Sequence, residues 1–226
     1  MTQNNDEIEE QTVTQEESAD QPKKATRTKP REIKHPFQTD PNKPPELQAP
    51  QKFEQGLVSV YYGNGKGKTS SAIGVAVRAS GHGLRVLFTQ FLKGDERYGE
   101  HHFFREEGHI HVQKFGPAWF LDMNNITEEE KQLSRDGLKF VREAMLSGKY
   151  DVIIMDEINV AVGWKAIPVA EVVQLLKERP ANVELVLTGR YAPKELKDLA
   201  DYVTEFKEEK HPYKDKGILA REGIDY

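Results

Sequence analysis

Short β-rich apolar runs alternate with segments of helical spacing from Gly56 onward. Residues 57–62 (LVSVYY) predict a strand that runs into glycines. Residues 69–80 predict a helix, with Ala72, Ile73, Ala76 and Val77 on one face. A second strand is predicted over 86–91, a short helix over 99–107 and a third strand over 110–115. Thr127 with Glu130 forms a capping box for a helix that runs to about Leu146, and Gly148 stops it. Residues 152–155 form an apolar run bounded by Asp151 and Asp156. Pro168 opens a helix ending near Arg179, residues 183–187 read as a strand, Pro193 opens another helix, and residues 202–206 read as a last strand. Strands separated by helical segments predict an α/β fold. Its mostly parallel sheet would carry helices on both faces and bind ligands at the C-terminal strand ends.

Residues 1–50 break this pattern. They hold seven of the chain's 12 prolines and few apolar residues. Residues 1–20 carry acids only, and residues 23–34 carry Lys23, Lys24, Arg27, Lys29, Arg31 and Lys34. Such a segment buries too little to offset its ordering entropy. The expectation is a disordered N-terminal tail over 1–50, solvated or serving as a docking arm, and one domain over 51–226.

The 226-residue chain has a net charge of -5, a pI near 5.9 and a mean hydropathy of -0.71. That balance argues against sequence-independent nucleic-acid binding, while leaving a local basic groove open. The absence of cysteine excludes disulfides, cysteine-ligated zinc, iron–sulfur clusters and thiol catalysis. No apolar run approaches the roughly 18–20 residues that span a bilayer. The acidic, polar start does not resemble a secretory signal, so a cytoplasmic protein without membrane or nucleic-acid partners is expected.

The segment Gly63, Asn64, Gly65, Lys66, Gly67, Lys68, Thr69, Ser70 follows a strand and opens a helix, which is the context of a phosphate-binding loop. Glycines let backbone N–H groups turn toward phosphate oxygens, and the helix start adds positive potential. Lys68 is placed to neutralise phosphate charge, and the Thr69 hydroxyl can ligate magnesium. Only three residues separate Gly63 from Gly67, one fewer than usual, and Tyr62 stands where a glycine is common. The matching acids are Asp156 and Glu157, after the apolar run 152–155. They would face the loop if the two strands are neighbours.

The seven histidines suggest no metal cluster. His101 and His102 are adjacent and point to different faces of a helix. His109 and His111 could share a strand face, but no third ligand accompanies them. Structural or solvated roles are expected.

Further motifs choose among the chemistries of phosphate loops. They are Arg78-Ala79 with Gly81-His82-Gly83, Gln90-Phe91-Leu92-Lys93-Gly94, Gly99-Glu100, Thr188-Gly189-Arg190 and the terminal Gly223-Ile224-Asp225-Tyr226. With the short loop, this series resembles the P-loop class of ATP:corrinoid adenosyltransferases over about residues 50–226. The resemblance implies transfer of the 5′-deoxyadenosyl group of ATP to a corrinoid reduced to Co(I), with triphosphate leaving. ATP would lie in the loop in reversed orientation. Mg2+ (or Mn2+) would be held by Thr69 and Glu157, with Asp156 in support. Asn64, Arg78 and Glu100 match family positions near the nucleotide. The resemblance also implies a homodimer and an electron donor such as a reduced flavin or flavodoxin. In the family, aromatic side chains after the third strand exclude an axial cobalt ligand. Trp119 matches one of them, while Pro117 stands where the other is commonly phenylalanine, so Phe115 or Phe120 would substitute. Two other readings remain at this point: a RecA-like ATP hydrolase, and a non-catalytic nucleotide or corrinoid carrier.

Overall fold

The structure, a computed structural model, describes residues 53–108, 110–117 and 125–226. The expected N-terminal tail lies outside them, as do His109, Trp119 and Phe120. Six strands form one sheet: β1 (Val58–Tyr62), β2 (Val86–Phe91), β3 (Ile110–Phe115), β4 (Val152–Asp156), β5 (Glu184–Thr188) and β6 (Tyr202–Glu205). Their order is β3-β2-β4-β5-β1-β6, and every pairing is parallel. Seven helices lie among the described residues: α1 (Lys68–Gly81), α2 (Gly99–Glu107), α3 (Glu128–Leu146), α4 (Ile158–Gly163), α5 (Val169–Glu178), α6 (Lys194–Leu199) and α7 (Pro212–Lys216).

The central strands β2 and β4 are buried on both faces, which is why they read as nearly continuous apolar runs, while the edge strand β6 is exposed. Alternate residues feed two cores. Val86, Phe88, Val152, Ile154 and Val186 meet Ala72, Ala76 and Ala79 of α1 and Phe104 of α2. The alanine stripe lets α1 approach the strands closely. On the other face Leu87, Phe91, Ile153, Met155, Leu185 and Leu187 meet Leu138 and Val141 of α3, Ile158 of α4, Leu175 of α5 and Leu196 of α6. The capping box expected at Thr127 is formed, with Thr127 accepting from Glu130 N at 3.2 Å and Glu130 accepting from Thr127 N at 2.8 Å.

Two features depart from the sequence expectation. β1 and β4 are not neighbours, because β5 lies between them. The acids at the end of β4 therefore reach the phosphate loop across the tip of β5. The helices α4 and α7 were not anticipated. The first is six residues long and follows its strand after a single residue, so its apolar content merges with that of β4.

The topology marks where a ligand can enter. β1 and β2 lead into α1 and α2 on one face, whereas β4 and β5 lead into α4 and α6 on the other. Connections diverge between β1 and β5 and again between β2 and β4. Open α/β sheets bind ligands in such crevices, at the carboxyl ends of the strands.

Candidate functional site

The phosphate loop occupies the first crevice. Gly63 (φ 105°) and Gly67 (φ 117°) adopt left-handed backbone that favours glycine. A Cβ on Gly63 would lie 2.4 Å from Phe206 O, so the loop is pressed against the chain leaving β6. Gly63 N donates to Arg190 O at 3.0 Å and Gly65 N donates to Phe206 O at 2.7 Å. The Thr188-Gly189-Arg190 turn and the exit of β6 thus clamp the loop from both sides. Lys68 begins α1, and its ammonium donates to Gly63 O at 2.8 Å and Gly65 O at 2.7 Å. Desolvation lowers its pKa, and the nearby Arg190 and Lys93 charges act in the same direction. Asn64, Lys66 and Ser70 are exposed along the rim.

The carboxylate centre occupies the second crevice. Asp156 is fully buried and accepts four hydrogen bonds, two on each oxygen. Oδ1 accepts from Thr69 Oγ1 at 2.9 Å and from Thr188 Oγ1 at 2.6 Å. Oδ2 accepts from Lys93 Nζ at 3.0 Å and from Gln90 Nε2 at 3.3 Å. Burial alone would raise the Asp156 pKa, but the Lys93 charge and these hydrogen bonds hold it below the ordinary value. Thr188 also accepts from Glu157 N at 3.1 Å, so one hydroxyl at the tip of β5 joins both acids. Lys93 bridges to Glu157 Oε1 at 3.2 Å. Desolvation works against the Lys93 ammonium, yet the two carboxylates outweigh it and raise its pKa well above the usual lysine value.

Local backbone forces Lys93 into this position. Leu92 (φ 59°) and Glu157 (φ 62°) are non-glycine residues in left-handed conformation, at the ends of β2 and β4. Such strain persists only where surrounding structure over-determines it, and it clusters at functional sites. The exits of β2 and β3 cross in close contact. A Cβ on Gly94 would lie 2.3 Å from Gly116 O, and one on Gly116 would lie 2.3 Å from Lys93 N.

The C-terminal motif also returns to the loop. Lys66 forms an ion pair with Asp225, which accepts from Arg221 N at 2.9 Å. The Arg97 guanidinium lies 5.4 Å from the centroid of the Tyr226 ring.

The structure therefore brings together Gly63 to Thr69, Asp156 and Glu157. Glu100 is in the first turn of α2, beside the second crevice. Arg78 is exposed in the last turn of α1, ten residues beyond Lys68 and so roughly 15 Å along the helix from it. The Phe115 ring packs 6.0 Å from Phe91 and 5.5 Å from Phe140. Pro117 is buried, with its carbonyl against Gly94. His101 is buried, whereas His102 is exposed, as their adjacency on a helix predicts. His111 pairs with Tyr150, Nδ1 to Oη at 2.6 Å.

Sequence reasoning missed Gln90, Lys93 and Thr188 as members of this centre. Gln90 carried a signal, a polar residue in an otherwise apolar strand. Thr188 and Lys93 sat in recognised motifs without an assigned task.

No helix among the described residues is long and apolar enough to cross a membrane. The model of the family described as "ATP:corrinoid adenosyltransferase BtuR/CobO/CobP" matches residues 54–226. The chain is 36% identical over 173 residues to the corrinoid adenosyltransferase of Escherichia coli K12, covering 76% of this chain and 87% of that one. It is 34% identical over 175 residues to the corrinoid adenosyltransferase CobA of Salmonella typhimurium, with the same two shares. Against the corrinoid adenosyltransferase of Pseudomonas aeruginosa PAO1 it is 35% identical over 178 residues, covering 76% and 85%. The chain belongs to the ATP:corrinoid adenosyltransferase family.

Proposed function

We propose that the phosphate loop and the Asp156 centre together carry out ATP:corrinoid adenosyl transfer, the activity of the family, in adenosylcobalamin biosynthesis or salvage. The observation that carries this reading is the hydrogen bond from Thr69 to Asp156, which ties the first turn of α1 to the acids at the end of β4. Gly63 to Ser70 bind the triphosphate of ATP, with Lys66 and Lys68 as its cations. The Thr69 hydroxyl donates its hydrogen bond to Asp156, which leaves its oxygen lone pairs available. These lone pairs and the Glu157 carboxylate are hard oxygen donors of the kind magnesium or manganese takes. The groups hydrogen-bonded to Asp156 are two hydroxyls, an ammonium and an amide, with neither a thiolate nor an imidazole that would favour a softer metal among them. Thr69 and Glu157 would hold the ion, with Asp156 in support. The bound ion would supply charge neutralisation for the departing triphosphate.

A Co(I) corrinoid is itself a strong nucleophile, so the protein needs no serine, cysteine or histidine to attack C5′ of ATP. The carbon–oxygen bond to the triphosphate breaks as the cobalt–carbon bond forms, and the leaving polyanion takes the electron pair. Stabilising that developing charge is the main electrostatic task, and Lys66, Lys68 and loop N–H groups suit it. Positioning C5′ against cobalt supplies much of the remainder. Asn64, Glu100 and Arg78 would assist nucleotide binding, and Trp119 would lie at the corrinoid. Arg78 would do so only through a second subunit of a homodimer, given its distance from the loop. The domain spans about 51–226 and acts in the cytoplasm, where a reduced flavin or flavodoxin would pass an electron to the corrinoid and bring its cobalt to Co(I).

Lys68→Ala is the direct test of the loop assignment. It is expected to lower ATP-dependent adenosylation by about a hundredfold or more while the circular dichroism spectrum stays unchanged. Wild-type turnover in a folded Lys68→Ala protein would remove the loop from the mechanism.

A further inference from the structure

α2 begins beside the carboxylate centre, and among its described side chains the polar one that is fully buried is His101, at 1% exposure. His101 Nε2 lies 2.7 Å from Gln90 Oε1, and Gln90 Nε2 lies 3.3 Å from Asp156 Oδ2. Gln90 and Asp156 are register partners on β2 and β4, so their side chains share one face of the sheet. The Tyr98 ring packs 5.7 Å from the His101 ring and stands 5.6 Å from Lys93 Nζ, the other donor to the same Asp156 oxygen.

We propose that His101 is a positioning residue: its Nε2–H holds the Gln90 amide in the orientation that donates to Asp156. The proton inventory of the chain of groups is self-consistent. An ionised carboxylate only accepts, so Asp156 requires the nitrogen end of Gln90. The oxygen end then faces His101, which must supply a proton from Nε2. A flipped amide would set two acceptors against each other at Asp156 Oδ2, inside a buried centre where an unmade hydrogen bond is costly. The ring is neutral in this arrangement. Burial, together with the Lys114 charge, lowers the His101 pKa to about 4. Nδ1 is left as the unprotonated nitrogen, buried and without a hydrogen-bond partner among the described residues. By fixing Gln90, His101 settles which way Asp156 faces and hence how Thr69 is presented. This proposal rests on the reading of Thr69, Asp156 and Glu157 as the metal centre.

Two measurements test it. In the wild-type protein, ¹⁵N-histidine NMR near pH 7 should show His101 as the Nε2–H tautomer. An Nδ1–H tautomer or an imidazolium would overturn the proposal, whatever the variants do. Electron paramagnetic resonance titration of Mn2+ in the presence of ATP then separates the proposal from the reading beneath it. Wild-type protein that does not bind Mn2+ would overturn both. If it binds, His101→Phe, which keeps an aromatic ring but loses the donor, should weaken Mn2+ about tenfold, as loss of a partner behind a ligand does. His101→Gln, whose amide nitrogen reaches about as far as Nε2, should restore most of the affinity. Equal Mn2+ affinity in wild type and a folded His101→Phe protein would sink the positioning role. A lowered melting temperature with unchanged Mn2+ affinity in both variants would leave His101 as packing alone.

Discussion

Two lysine–aspartate pairs stand at the same end of the sheet, and their surroundings are opposite. Lys93 and Asp156 sit at 22% and 0% side-chain exposure, 3.0 Å apart, with three further donors on the same carboxylate. Lys66 and Asp225 sit at 54% and 21%, joining the phosphate loop to the C-terminal residues. A buried pair is weak evidence of net stabilisation, but removing one partner strands the other charge in a low dielectric. An exposed pair gains little and is screened by salt. The first pair therefore sets geometry, while the second keeps enough water to be screened. The lesson is that identical residue types at one site do different work according to how much water they keep.

The contrast yields its largest effect at Lys93. Lys93→Met leaves Asp156 buried without its cation and should cost about 3–5 kcal/mol in urea unfolding. A loss no greater than that of Lys66→Met would erase the distinction between the pairs.

The next effect is read in pH. His101 titrates near 4 in the folded protein and near 6.5 when unfolded, so acid favours unfolding. Its contribution is fully present above about pH 6.5 and is lost as pH falls toward 4, a change on the order of 3 kcal/mol. The depressed pKa of Asp156 adds a further loss as pH falls through its folded value. Unfolding free energies between pH 7 and 4 should fall less steeply in His101→Phe, and identical slopes would remove His101 from the linkage.

Asp225→Asn should be much milder, within about 1 kcal/mol in stability at low salt and less at high salt. A large destabilisation would mean that the terminal motif supports the fold. Removal of residues 1–50 should change adenosylation least of all. Loss of activity in a folded remainder would give the tail a part in the chemistry.

How legible each feature was follows from how local its chemistry is. The phosphate loop could be read because strand, glycines, Lys68, Thr69 and helix are contiguous. Asp156 was legible as the polar end of an apolar run. Strand order is a long-range property, and nothing in the runs themselves signals that β5 inserts between β1 and β4. Thr188 acquires its task only through that insertion. Lys93 is one cation among 32 lysines and arginines, and its importance arises from the crossing of two glycine-bearing loops. His101 could be assigned a face on α2, but the identity of its partner, Gln90, depended on how α2 docks. Arg78 and Phe115 show the converse: each was carried by resemblance, and the fold of this chain sets one on an exposed helix end and the other into packing.

The most direct measurement is anaerobic. Protein, ATP, magnesium and chemically reduced cob(I)alamin would be mixed, the corrinoid spectrum followed, and triphosphate assayed. The account predicts enzyme-dependent adenosylcobalamin with one equivalent of triphosphate. ATP split to ADP and phosphate without adenosylation, or binding with no turnover of cobalamin or of an incomplete corrinoid, would contradict it.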